Sequence, residues 1–133
     1  MEEILFTQHK VPTCLDSSQE HTLLTGNEDS VIRLWDVRSG SSEKIFKAQF
    51  ESHEKWISQV KFNPAVENLF LSGSYDGTVK MWDLRNEDIP LATLTHKSES
   101  DEYKVFATEW NGSSQIISGG SDSHVSVHTI GGK

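Results

Sequence analysis

The sequence predicts an all-β fold, built as about three four-stranded antiparallel units. Three observations predict it. The 133-residue chain aligns with itself at a spacing in the mid-forties. Short stretches alternate apolar with mostly polar residues at period two, as strands do. No helical periodicity runs longer than two turns.

The self-alignment is specific. Residues 25–40 read TGNEDSVIRLWDVRSG, residues 72–87 read SGSYDGTVKMWDLRNE and residues 118–133 read SGGSDSHVSVHTIGGK. Trp35 and Trp82 stand 47 residues apart. Asp29, Asp76 and Asp122 keep steps of 47 and 46, as do Gly26, Gly73 and Gly119. His9, His53 and His96 precede the blocks at steps of 44 and 43. A period of this length is that of a four-stranded propeller blade, so the architecture expected is an incomplete β-propeller.

The elements follow in order. Residues 1–8 contain EILFT, which reads as the fourth strand of a preceding blade. A blade over 9–52 has strands near 11–17, 22–26, 31–37 and 44–50. A second over 53–95 has strands near 57–63, 69–74, 78–84 and 91–95. A degenerate last blade over 96–133 has strands near 104–110, 115–119 and 124–130 and no fourth strand. SGSYDG at 72–77 is turn chemistry between two strand patterns, and each turn Asp can bond the backbone of its own turn. Pro12 falls in an innermost strand, where a missing N–H at a free edge is tolerable. SESDE at 98–102 reads as a solvated loop between units.

Composition narrows the function classes. Acidic residues number 20 against 12 basic, a net charge of −8. Such a chain makes a poor direct ligand for nucleic acid, which needs clustered Lys and Arg. It has no basic stretch to hold an anionic membrane surface and no apolar run near the roughly 18 residues of a spanning helix. Met1-Glu2-Glu3 opens without a basic flank or apolar core, so no secretory leader is expected. The single cysteine, Cys14, leaves no internal disulfide or multi-thiolate site and fits a reducing compartment, cytosol or nucleus.

Six histidines invite a catalytic or metal reading, and the spacing argues against both. His53, Ser72, Asp76 and Trp82 recur in the order His9, Thr25, Asp29 and Trp35. Such a set can form a buried chain of hydrogen bonds: indole to hydroxyl, hydroxyl to imidazole, imidazole to carboxylate. Every polar group then has a partner, as buried ones must. A Ser-His-Asp catalytic site has no reason to be copied once per repeat with a Trp each time. His21, His124 and His128 form no ligand spacing with one another or with Cys14, so no metal is expected. No glycine-rich phosphate loop or convincing carboxylate pair is present, so neither enzymatic activity nor a cofactor is expected. In the third unit His96, Ser118 and Asp122 recur, but His128 replaces the Trp and Thr129 the following Asp.

At these residues the chain resembles the WD-repeat family, whose fold is a β-propeller. Trp35-Asp36 and Trp82-Asp83 are the dipeptides behind that name. HEKWISQVKFNP (53–64), SGSYDGTVKMWDLR (72–85), YKVFATEW (103–110) and ISGGSD (117–122) further resemble the C-terminal end of one subfamily, the WD-repeat subunit of the PeBoW ribosome-biogenesis complex. That resemblance implies a nuclear, nucleolar scaffold for maturation of the large (60S) subunit. It also implies the block-of-proliferation subunit, pescadillo and the pre-60S particle as partners. The subfamily's ubiquitin-like domain, which engages an AAA ATPase, has no counterpart in these residues.

Trp56 and Tyr75 lie in loops that should share one propeller face. If exposed they are binding anchors; a Trp56 packed on its own blade would not be. Tyr103 sits analogously in the third unit, and Glu54 and Lys55 are rim charges. Arg38 and Arg85 end the strings WDVR and WDLR, which resemble those of cullin–RING ligase substrate receptors, where the Arg docks an adaptor. Short strings of this kind match by chance, and both can equally be solvated residues. A ring needs about four to eight blades. The expectation is therefore part of a longer propeller, with assembly of copies as the alternative.

Overall fold

The computed structural model describes residues 10–18, 21–37, 45–95 and 102–131. The expected strand at 3–7, most of the loop at 98–102, and His9, Arg38 and His96 lie outside these residues. Within them are eleven strands in three antiparallel sheets. The first sheet joins β1 (Pro12–Ser17), β2 (Thr22–Asn27), β3 (Val31–Asp36) and β4 (Ile45–Glu51) in chain order. The second joins β5 (Ile57–Phe62), β6 (Leu69–Ser74), β7 (Thr78–Asp83) and β8 (Ala92–Thr95). The third holds β9 (Val105–Asn111), β10 (Gln115–Gly120) and β11 (Val125–Thr129). These are open, incomplete propeller blades, and the strand ends fall within a residue or two of those expected.

Period two decides what each sheet buries. In the second sheet Phe70 and Trp82 are opposite each other, as are Leu71 and Met81 one position on. The first pair faces the first sheet and the second pair faces the third. Leu24, Ile32, Leu34 and Phe50 therefore pack against Ile57, Val60, Phe70 and Trp82 in one core. Leu71 and Val79 pack against Tyr103, Val105, Trp110 and Ile116 in another. Phe50 meets both Phe70 and Trp82 edge-on, with ring centroids at 5.1 and 5.3 Å, a favoured aromatic geometry. Each large side chain so buried contributes on the order of 1.5–3 kcal/mol.

The innermost strands β1, β5 and β9 each carry one bulge at their start. The register slips between Pro12 and Cys14, between Ile57 and Gln59, and opposite Gly119/Gly120, where Val105 and Ala107 pair and Phe106 does not. The bulged residues are thus Thr13, Ser58 and Phe106. A bulge re-aims a side chain. Thr13 Oγ1 donates to the Ile57 carbonyl, and Ser58 Oγ donates to the Val105 carbonyl at 2.6 Å. Each hydroxyl therefore ties its sheet to the first residue of the next innermost strand. Asp16 accepts from Phe62 N–H at 2.8 Å, and Trp110 Nε1 donates to the Lys61 carbonyl at 3.0 Å, closing the same seams. Gly120 is required at the third bulge, because a Cβ there would stand 1.9 Å from the Lys104 carbonyl oxygen.

The faces pointing away from the second sheet are different. Val125, 73% exposed, and Val127 stand opposite Gly119 and Ile117 on the outer face of the third sheet. Leu15 is exposed on the outer face of the first. Repeat units bury such faces only against neighbours, so the chain alone should self-associate. Sedimentation is expected to show concentration-dependent oligomers that Val125→Glu plus Val127→Glu diminishes. A sharply melting monomer at all concentrations would contradict this.

Candidate functional site

The second sheet holds the full polar chain. His53 lies in the loop before β5, Asp76 in the β6–β7 turn, Ser72 on β6 and Trp82 on β7. Trp82 Nε1 donates to Ser72 Oγ at 2.9 Å. Ser72 Oγ is 2.7 Å from His53 Nε2, and His53 Nδ1 is 2.8 Å from Asp76 Oδ2. The consistent proton arrangement has Ser72 donating to Nε2 and Nδ1–H donating to the carboxylate. Thr78 Oγ1 donates to Asp76 Oδ1 at 2.6 Å, and Glu54 N–H to Oδ2 at 3.1 Å. Burial alone would raise the Asp76 carboxyl. The His53 hydrogen bond and charge, with the Thr78 and Glu54 donors, outweigh it and hold the group far below the usual carboxylate range.

Residue types here match a nucleophilic triad, but the setting does not. Ser72 has no solvent exposure, and its oxygen already accepts from an indole. No substrate can reach it, so this set fastens the loop before β5 to β6 and β7. Among the described residues no group of three His, Cys, Asp or Glu is placed to hold a metal ion.

The first sheet is built differently. Trp35 Nε1 donates to Thr25 Oγ1 at 3.1 Å. Asp29 is held by the buried Arg33, whose two terminal nitrogens reach its two oxygens at 3.2 and 2.8 Å. Burial raises the Asp29 carboxyl, yet the Arg33 hydrogen bond and charge bring it below its ordinary value. The repeat pattern did not single out Arg33, because Lys80 occupies its place in the second sheet and points to Thr93 Oγ1 at 3.2 Å. In the third sheet Ser118 is buried, while His128 is exposed at the tryptophan position opposite Ile116.

The surface candidates divide. Trp56 is 50% exposed and stacks on Tyr75 at 6.2 Å, with ring planes 11° apart. It therefore packs on its own sheet and is displayed as well. Tyr75 also meets the edge of Phe106 at 5.7 Å, and Lys104 Nζ stands over its ring at 5.5 Å. Glu54 and Lys55 are exposed beside them. Phe106, 51% exposed, was missed in the sequence; it shares the parity of the inward Thr108 and Trp110, and only the bulge turns it outward. Tyr103 requires a correction. It is only 5% exposed and lies in the core between the second and third sheets, so it offers no surface anchor. Burial, with the Asp122 charge beside it, pushes its phenol up. Arg85 is exposed, but its guanidinium is held by Asp83 through Nε at 2.9 Å and a terminal nitrogen at 2.7 Å. That hydrogen bond lowers the Asp83 carboxyl to about 2.

Stacked antiparallel sheets, two of them four-stranded and tied by Trp to hydroxyl, define a WD-repeat propeller segment. The family model of the EIPR1 beta-propeller matches residues 6–82, more than half of the chain, and the chain belongs to this family of β-propellers. It is further similar to proteins named ribosome biogenesis protein WDR12 homolog. That of Oryza sativa subsp. japonica is 40% identical over 121 residues, covering 89% of this chain and 26% of the relative. That of Nematostella vectensis is 35% identical over 112 residues, covering 84% and 26%. That of Brugia malayi is 45% identical over 100 residues, covering 75% and 22%. The chain thus spans about a quarter of the length of these relatives.

Two outcomes are expected of the fastener. Trp82→Phe removes the donor to Ser72 and should cost about 1–3 kcal/mol in denaturant unfolding; a loss of a few tenths would mean the bond contributes nothing. Because Asp76 sits below its unfolded value, its contribution is whole above about pH 4 and is lost as pH falls further. Urea midpoints should drop as pH falls from about 4 to about 2, and Asp76→Asn should flatten that drop.

Proposed function

We propose that the chain is a non-enzymatic interaction scaffold, part of the propeller of a ribosome-biogenesis factor acting in large-subunit pre-rRNA processing and assembly. The observation that carries this reading is the similarity to the WDR12 homologs over most of the chain. The buried fastener and the displayed aromatic cluster support it: the repeated polar groups serve the fold, which leaves loops and surface to recognise partners. In this reading the blades run 9–52, 53–95 and 96–133, with 1–8 as a strand of the blade before. The partners are the block-of-proliferation subunit and pescadillo on the pre-60S particle, in the nucleolus. At net charge −8 the chain joins that particle through proteins and not through RNA.

The tagged chain, expressed in cells, should co-purify with both partners, and Trp56→Ala plus Tyr75→Ala should reduce their recovery about tenfold or more. Recovery instead of a cullin–RING adaptor, lost on Arg38→Ala plus Arg85→Ala, would replace this reading with that of a ligase substrate receptor.

A further inference from the structure

We propose that the aromatic cluster receives an arginine side chain of a partner protein, laid on the outer face of Trp56 and paired with Glu54 and Glu28. The inference rests on the reading of this face as the partner-binding one and deepens it by naming the chemistry. The place is a concavity of about 460 Å³ lined by Glu28, Ser30, Glu54, Lys55, Trp56, Tyr75 and Lys104. Glu28 and Ser30 come from the β2–β3 turn, Glu54 to Trp56 from the loop before β5, Tyr75 from the β6–β7 turn and Lys104 from the approach to β9. All three sheets contribute, so the site exists only once they are stacked.

The rings differ in what remains free. Tyr75 is occupied by Trp56, by the edge of Phe106 and by the Lys104 ammonium. Trp56 spends one face on Tyr75 and stays half exposed, and among the described residues no cation lies over it. An aromatic face attracts cations and repels anions, and indole is the strongest such acceptor. Neither Glu28 nor Glu54 forms an ion pair among the described residues. The Asp76 carboxylate beside them is turned inward to His53 and Thr78, so the two glutamates are the acceptors left for an incoming group. Arginine fits better than lysine, because its planar, weakly hydrated fork stacks on a ring and bonds a carboxylate at once. A nucleic-acid base could stack too, but the two carboxylates oppose the phosphates it would bring, and with Lys104 engaged over the Tyr75 ring only Lys55 is left among the lining residues to attract them.

The test titrates the whole chain with the blocked peptide Ac-Ala-Arg-Ala-amide and follows the Trp56 indole N–H resonance, assigned by its loss in Trp56→Phe. A saturable shift is expected, about threefold weaker with the lysine peptide and reduced about threefold by Glu28→Gln plus Glu54→Gln. An equal response to Ac-Ala-Glu-Ala-amide or to oligouridine, or none to the arginine peptide, overturns the inference. Partner capture separates the two levels. If Trp56→Ala plus Tyr75→Ala abolishes it and Glu28→Gln plus Glu54→Gln leaves it intact, the face binds partners without arginine and only this inference fails. If neither pair matters, the reading of the face fails with it.

Discussion

A sheet with apolar side chains on both faces is stable only between two others, and the second sheet is built under that constraint. Phe70 and Trp82 face one neighbour while Leu71 and Val79 face the other. Its alternation therefore looks nearly continuous in hydrophobicity, as a fully buried strand must. The polar chain from Trp82 to Asp76 lies within this enclosure. Its interior members, Ser72 and His53, have no water to turn to, so every hydrogen bond must be made internally. Packing and polar satisfaction thus depend on the same stacking.

Seam chemistry adds direction to that stacking. Thr13 and Ser58 are displaced from the strand pattern by bulges and reach forward to the carbonyls of Ile57 and Val105. In the third sheet the equivalent bulge carries Phe106. The same backbone device that closes two seams there displays an aromatic ring beside Tyr75. One local irregularity thus serves packing in two places and surface chemistry in the third.

Much of this was legible in the residues. The strands followed from period two and from repetition at the mid-forties spacing, because both report backbone geometry. The chain of His53, Ser72, Asp76 and Trp82 followed from repetition of residue types whose donors and acceptors complement one another. What escaped has a common cause. A bulge adds one residue and reverses the sense of alternation, so inward Tyr103 and Val105 and outward Phe106 could not be sorted from pattern alone. The Asp29–Arg33 pair escaped because it breaks the repeat: a fork able to grip a carboxylate stands where the second unit has a lysine.

The forward-reaching hydroxyls carry a consequence for how such units can be rearranged. A unit donates through its own bulged residue and accepts through the first carbonyl of its inner strand, so each has a head and a tail. The second unit carries both halves and the first donates through Thr13, while the third accepts from Ser58 but has only a phenyl ring to offer onward. Transplanted between two others, the third would leave one carbonyl without its donor. The modules of this chain are similar in outline yet not interchangeable, and their order along the polypeptide is part of the information that shapes the assembled surface.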